Sequence, residues 1–448
     1  MMQEKRLVII CQHFYPEMLS TGLFMTHIAT GLVQRGWRVR VYCAQPIYQP
    51  GSHFEPVPNR LEYEGVEIIR VPTLSTARSS LPRRLVNGIT FLLAIAWYLL
   101  RDRKEILGVI NTTNPPFLGL VAWAAKWLLG LPFLTIVHDV YPDVAVQLGL
   151  LSKRSPLTWL WERLTRLILN QSVGLIVIGR DMAQLVCTKL SRRSAVLMTL
   201  IPHWADSAQV YPVPRAENRF IEQHHLADRF VVQYAGRLGR AHNLEPLIEA
   251  AQQLQDTPVL FQFIGEGAKR PALEQRVQEL RLQNVQFLPY QPYETLTQTL
   301  SAADLAVVCL DGAVSGASVP SKTYSLLACA RPVLALVDPT SEIGQLVQEA
   351  DCGIVVANAT GPRVAEAIRQ AMTTPARLHA LGQNGYHAFQ QKYTMTAALE
   401  QYDACMRRYF DDAVHTLRDP DGAYRTVPPL LIPAQRRHEP QLSEGKAG

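Results

Sequence analysis

The stretch Ser315–Val333, "SGASVPSKTYSLLACARPV", has the form of a phosphate-binding crossing from strand to helix. Pro320, Ser321 and Lys322 open an apolar helix, the small residues around Cys329 stop it, and Pro332-Val333 begin another apolar run. A helix start leaves free N–H groups that favour an anion. Before the stretch lies "LAVVCL" (305–310), and its end runs on into "PVLALV" (332–337). Both have strand length and are apolar throughout, as strands covered on both faces are. Strand, helix and parallel strand in succession predict an α/β fold.

The same alternation extends in both directions. Towards the carboxy terminus stands "CGIVVA" (352–357); towards the amino terminus stand "VQFL" (285–288), "VLFQFI" (259–264) and "FVVQYA" (230–235). Further back come "AVLMTL", "VGLIVI", "PFLTIV", "LGVIN", "VEIIRV", "RVRVYC" and "LVIIC", the last ending at Cys11. A chain of 448 residues is too long for one core, so two domains of roughly 200 residues are expected. Each half reads as its own doubly wound layer structure, with a Pro-rich polar hinge near "IPHWADSAQVYPVPRAENR" (201–219). After about Arg418 the periodicity is lost, which predicts a flexible tail.

Composition sets further bounds. Hydrophobic content of 48% and charged content of 18% belong to an ordinary globular chain. The net charge of +6 is uneven: residues 1–210 hold 22 Lys and Arg against 13 Asp and Glu, and the rest hold 22 against 25. A basic first half points to an anionic partner such as a membrane surface, a lipid diphosphate or nucleic acid. The seven cysteines form no CxxC pair, which argues for a reducing cytosol and against a zinc site. The apolar run Leu7–Cys11 is too short for a signal peptide and reads as a first strand.

Two apolar segments invite a membrane test. "LVNGITFLLAIAWYLL" (85–100) is flanked by Arg83, Arg84, Arg101, Arg103 and Lys104. It is shorter than the roughly 20 residues a spanning helix needs. Its cationic flanks and terminal Trp97-Tyr98 suit a helix lying in the interface, and a core-facing helix fits equally well. "FLGLVAWAAKWLLGLPFLTIV" is long enough to span, but Lys126 and Gly130-Leu131-Pro132 split it into a core helix and a strand.

Four motifs then fall in order. "FYPEMLSTGLFMTHIATGLVQRGWRVRVYC" is a strand-exit loop with Gly22 at the start of a helix; "YAGRLGRAHNLEPLIEAAQQL" places Arg237 just after a strand. "FIGEGAKRPALEQ" and "NVQFLPYQPYETLTQTLSAADLAVVCL" follow, and the opening stretch completes the set. From about Leu7 to Phe410 the chain resembles the retaining glycosyltransferases of family 4, most closely the colanic-acid and O-antigen assembly type. The resemblance implies two facing Rossmann-like domains with an inter-domain cleft, the glycosyltransferase B architecture. It divides the chain into an acceptor-binding domain (1–205), a nucleotide-sugar-binding domain (206–390), a helix returning towards the first domain (391–412) and the tail (413–448).

The resemblance also implies roles. Arg237 and Lys322 would stabilise the leaving diphosphate, in keeping with a bidentate fork and a first-turn cation. His138 and Asp139, at the exit of "TIVHDVYPD", would face the donor sugar across the cleft. Gly22, Gly236, His242, Gly265, Glu266, Pro289, Tyr290, Ser321 and Ser325 would complete the donor site. The expected partners are a nucleotide-diphosphate sugar, a polyprenyl-diphosphate-linked sugar acceptor and an anionic membrane surface, with no nucleic acid. No metal or other cofactor is expected, and the protein would work in the cytoplasm, peripherally on the cytoplasmic face of the membrane, in cell-surface polysaccharide assembly.

The chain departs from the family in three places. His242 and Asn243 stand where the family has Lys and Gly. The family's paired glutamates would fall at Ala317 and Ser325, so neither carboxylate is present. These changes also fit a catalytically degenerate sugar-nucleotide-binding partner, whereas an epimerase on the same scaffold would need carboxylates in the cleft.

Overall fold

The computed structural model describes residues 5–17, 21–46, 57–72, 81–192, 194 and 196–410; the predicted tail 413–448 lies outside them. The first half builds an eight-stranded sheet: β1 (Arg6–Ile10), β2 (Val39–Cys43), β3 (Arg60–Tyr63), β4 (Val66–Arg70), β5 (Ile106–Thr112), β6 (Phe133–Val137), β7 (Gly174–Val177) and β8 (Leu197–Leu200). Their order is β3-β4-β2-β1-β5-β6-β7-β8. All pairings are parallel except β3 with β4. The second half builds a parallel sheet from β9 (Phe230–Ala235), β10 (Val259–Ile264), β11 (Val285–Leu288), β12 (Leu305–Cys309), β13 (Val333–Leu336) and β14 (Gly353–Val355). Its order is β11-β10-β9-β12-β13-β14.

Each apolar run named above is a strand, because crossover helices cover both faces of a parallel sheet. The additional strand is β3, "RLEY", which pairs antiparallel with β4 through the turn Glu64-Gly65. Both turn residues have positive φ (47° and 78°), as a tight hairpin turn requires. The helix Met395–Phe410 packs against the first half: a Cβ on Gly31 would meet Leu399 at 2.5 Å, and Trp37 Nε1 donates to Asp403 at 2.7 Å.

The two halves touch firmly. The Val140 N–H donates to the Ala317 carbonyl (2.9 Å), and the Gly316 N–H donates to the Asp181 carboxylate (3.0 Å). Arg180 binds the buried Glu342 through its backbone N–H (2.7 Å) and its Nε (3.0 Å). One apolar cluster runs through this contact, holding Val137, Val140 and Val177 with Ala317, Tyr324 and Ile343.

The segment 85–100 is core-facing along one stripe and exposed along the other. Within the helix Leu81–Arg101, Phe91, Ile95 and Leu99 are buried, while Val86, Ile89, Leu93, Trp97 and Leu100 face out. The helix Leu118–Leu129 departs from its expected place in the core. Leu118, Val121, Ala122 and Ala125 are inside, but Trp127 (68%) and Leu128 (81%) are exposed. A helix lying on a sheet buries one stripe only, whatever the composition of its other face. Among the described residues, no helix is long and apolar enough to cross a membrane.

Candidate active site

The loops after β9, β10 and β11 meet at the carboxyl edge of the second sheet, where open α/β sheets gather ligands. Gly236 (φ 146°) and Gly265 (φ 133°) turn the chain there, and a Cβ on Gly265 would collide with the Gly236 carbonyl. Glycine is therefore required for these loops to pack. Arg237 is exposed, and among the described residues no carboxylate pairs with it. The Tyr234 hydroxyl donates to the Arg237 carbonyl (2.7 Å), fixing the backbone under it. Glu266 pairs with Arg270 (2.7 Å), and Pro289 and Tyr290 form an exposed wall beside Gly265.

Lys322 begins the helix Lys322–Ala328, and its ammonium is enclosed without a hydrogen-bond partner. The nitrogen sits 3.2 Å from the centre of the Tyr234 ring and would lie 3.3 Å from a Cβ on Gly236. Burial depresses its pKa to about 7. His242 accepts the Gly239 N–H (3.3 Å) and is pushed down to about 3 by burial, with Lys322 and Arg237 adding to the effect. The imidazole is therefore a neutral member of the site. Ser321, Lys322 and Ser325 line a recess shared with Phe24, His27 and Asp206. Gly22 lies at the start of the neighbouring helix Thr21–Gln34, where a Cβ would strike the Glu17 carbonyl. The close backbone approach made there is therefore that of its own loop.

His138 and Asp139 are split by the strand's alternation. His138 is buried, its ring stacked at 5.6 Å on that of His203, and its Nε2 has no partner. Burial holds its pKa down at about 4. Asp139 forms a β-bridge with Ser318 and accepts that hydroxyl; burial raises its pKa. It lies on the wall of a separate recess in the first half.

His203 stands in the sequence only as a polar residue inside "IPHWAD". The structure stacks it on Phe24 (3.9 Å) and sets it 6.5 Å from Tyr324. His203 Nδ1 and the Tyr324 hydroxyl are buried and unpartnered like His138 Nε2, a cost of about 1–3 kcal/mol for each such group. Ala317 is fully buried, and its carbonyl carries the contact to Val140.

Residues 21–204 match the model described as glycosyl transferase 4-like domain, and residues 215–388 match glycosyl transferases group 1. The chain belongs to the family 4 glycosyltransferases. It is 30% identical over 335 residues to a Pseudomonas aeruginosa protein named as glycosyltransferase WbjE, covering 74% of this chain and 82% of that protein. It is 27% identical over 386 residues to the Escherichia coli K12 protein named as colanic acid biosynthesis glycosyl transferase WcaI, covering 83% and 93%. Among solved structures, sucrose-phosphate synthase from Thermosynechococcus elongatus superposes with a TM-score of 0.75 at 21% identity, over 91% of this chain and all of that one. WaaG, a glycosyltransferase involved in lipopolysaccharide biosynthesis, gives 0.67 at 16% identity, over 89% and 99%. These likenesses establish the two-domain glycosyltransferase B fold.

Proposed function

We propose that this enzyme moves a sugar, with retention of configuration, from a nucleotide-diphosphate sugar to a polyprenyl-diphosphate-linked glycan in cell-surface polysaccharide assembly. The observation that carries the reading is the enclosed, unpartnered Lys322 ammonium beside Gly236. A cation held this way, with exposed Arg237 on the adjoining loop, suits the charge that develops on a leaving diphosphate. The printed names of WbjE, WcaI and WaaG point to glycosyl transfer, colanic acid and lipopolysaccharide. HepE from Anabaena, alike in fold, was solved with UDP-glucose. In the proposed step the acceptor oxygen attacks from the leaving-group side, and the β-phosphate oxygen takes its proton as the sugar–phosphate bond breaks. His138, neutral above pH of about 4, would meet the sugar.

The lipid-linked acceptor and work at a membrane rest on the outer surface of the first half. Val86, Ile89, Leu93, Trp97 and Leu100 form an exposed apolar stripe with Arg103 and Lys104 at its end. Much of the basic excess elsewhere is spent internally: Arg40 pairs with Glu67, Asp102 and Glu105, and Lys189 with Asp143 and Glu162.

One observation favours the alternative of a nucleotide-sugar-binding partner without turnover: Ala317 and Ser325 leave the cleft without the family's carboxylates. A thermal-shift screen over sugar nucleotides, followed by product analysis with membrane lipid extract, separates the two. A single stabilising donor with glycolipid formation supports transfer; stabilisation without product supports the partner; stabilisation by none sinks both.

A further inference from the structure

The recess that Lys322 borders holds a carboxylate that no step above uses. It lies between the helix Thr21–Gln34, which contributes His27, the inter-domain link, which contributes Asp206, and the donor half, which contributes Ser321, Lys322 and Ser325. Asp206 is the sole carboxylate of that lining. At about 110 Å³ the recess is on the scale of the ~150 Å³ cavity that accepts one benzene ring. It has room for one sugar ring and not for a whole nucleotide sugar.

Asp206 is fixed in place by its backbone. The Ala205 N–H donates to the Tyr393 carbonyl and the Ala205 carbonyl accepts the Met395 N–H, both at 3.1 Å, and the Val210 N–H donates to the Asp206 carbonyl at 2.9 Å. The half-buried carboxylate accepts the Ala208 N–H through Oδ1 (2.9 Å). Among the described residues its other oxygen has no hydrogen-bond partner and the group forms no ion pair. His27 does not neutralise it. Its Nδ1 accepts the Trp204 Nε1 proton (3.4 Å), and burial holds its pKa below the ordinary histidine value although Asp206 pulls it upward. The imidazole is therefore neutral at neutral pH.

A carboxylate left without a counter-cation repels an anion and attracts O–H donors, whose bonds to an ionised acceptor are roughly twice as strong as neutral ones. The recess therefore suits a ligand that presents hydroxyls to Asp206 and carries its phosphates elsewhere. The phosphate position adjoins it. Lys322 borders the recess, and its ammonium reaches the loop at Gly236. A nucleotide-diphosphate sugar has a hydroxylated ring on each side of its diphosphate, the ribose and the transferred sugar.

We propose that Asp206 accepts the vicinal hydroxyls of a ring attached to the donor diphosphate, so that the link between the domains provides the carboxylate that position 325 lacks. The inference rests on the nucleotide-sugar donor proposed above and adds the residue that reads its hydroxyls. Each carboxylate oxygen has two lone pairs, so Oδ1 keeps one beyond its bond to Ala208 and Oδ2 keeps both.

The test is calorimetric titration of the full chain and of Asp206→Asn with UDP, 2′-deoxy-UDP and UDP-glucose, and with GDP, 2′-deoxy-GDP and GDP-mannose, read in whichever series the wild type binds more tightly. Asparagine can still accept the Ala208 N–H, so the turn of the link is retained; Asp206→Ser serves if that variant does not fold. A loss of about tenfold for the diphosphate and its sugar, with a smaller loss for the 2′-deoxy form, supports the inference and assigns the ribose. A similar loss for the nucleotide sugar alone supports it and assigns the transferred sugar. Equal losses for all three ligands mark Asp206 as a structural residue of the link, and unchanged affinities mark it as a solvated carboxylate; either result overturns the inference. The donor reading fails differently: wild-type protein then binds neither series, whatever residue stands at 206.

Discussion

The ammonium of Lys322 lies 3.2 Å from the centre of the Tyr234 ring, enclosed and without a hydrogen-bond partner. The ring face supplies partial negative charge, and nothing else nearby compensates for lost water. A cation placed this way is strained until an anion arrives. Lys322→Ala should therefore cut transfer by about 100-fold or more, because it removes a preorganised charge from the leaving diphosphate. Rates at the wild-type level would end its assignment to the diphosphate.

The same residue sets a pH dependence. Its folded pKa, about 7, is depressed from the ordinary lysine value, so the fold disfavours the charged form. The resulting destabilisation grows as pH falls from the unfolded value towards 7 and is then constant. Lys322→Met should thus melt higher than wild type at pH 6, although it is inactive. Donor binding needs the charged form, so affinity should fall up to about tenfold per pH unit above 7, with proton uptake on binding. Calorimetry in buffers of different ionisation enthalpy reads that uptake, and its absence at pH 8 would contradict the assignment.

His138 should behave differently. With a pKa near 4 it is already neutral around pH 6.5, so no activity limb near 6.5 should come from it. His138→Ala should lose turnover while nucleotide affinity, measured by calorimetry, changes only modestly. A collapse of nucleotide affinity instead would make it a structural residue.

Ser325 shares a recess with Ser321 and Lys322. Ser325→Glu would add the charged acceptor that relatives of this type carry, a gain of about 1 kcal/mol in donor binding. Calorimetric titration with the donor decides this; unchanged or weaker affinity would show that position 325 does not meet the donor.

Sequence pattern carried much of this architecture and less of its site. Thirteen strands could be read because a strand buried on both faces is apolar along its whole length, as in "LVIIC" or "LAVVCL". The strand "RLEY" escaped because an edge strand needs no such run. Its Glu64-Gly65 turn was the available signal. At the site, local motifs assigned Lys322 and Gly236 to the donor, and the structure sets them side by side, but His203 comes from the inter-domain link and meets His138 only through tertiary packing. Position 317, where the family has a glutamate, lies in the contact between the halves, its carbonyl accepting the Val140 N–H. Local sequence does not encode how two domains abut.

The last prediction concerns the membrane surface. Leu93 (64%) and Trp97 (55%) are exposed at the centre of the outer stripe, and Arg103 and Lys104 follow at its end. Such a helix gains from buried apolar area and from anionic headgroups together. The protein should co-sediment with vesicles containing phosphatidylglycerol, and less so as salt rises, because exposed charges are screened beyond about 10 Å at 0.1 M. Arg101 is a poor target, since it pairs with Asp102 inside the Arg40–Tyr42 network. The informative variant is Leu93→Ser with Trp97→Ser, which leaves Phe91, Ile95 and Leu99 in the core. It should release the protein from vesicles and slow transfer to a membrane-embedded acceptor while donor binding stays at the wild-type level. Wild-type protein that fails to bind anionic vesicles even at low salt would rule out membrane docking through this stripe and leave a soluble acceptor as the better reading.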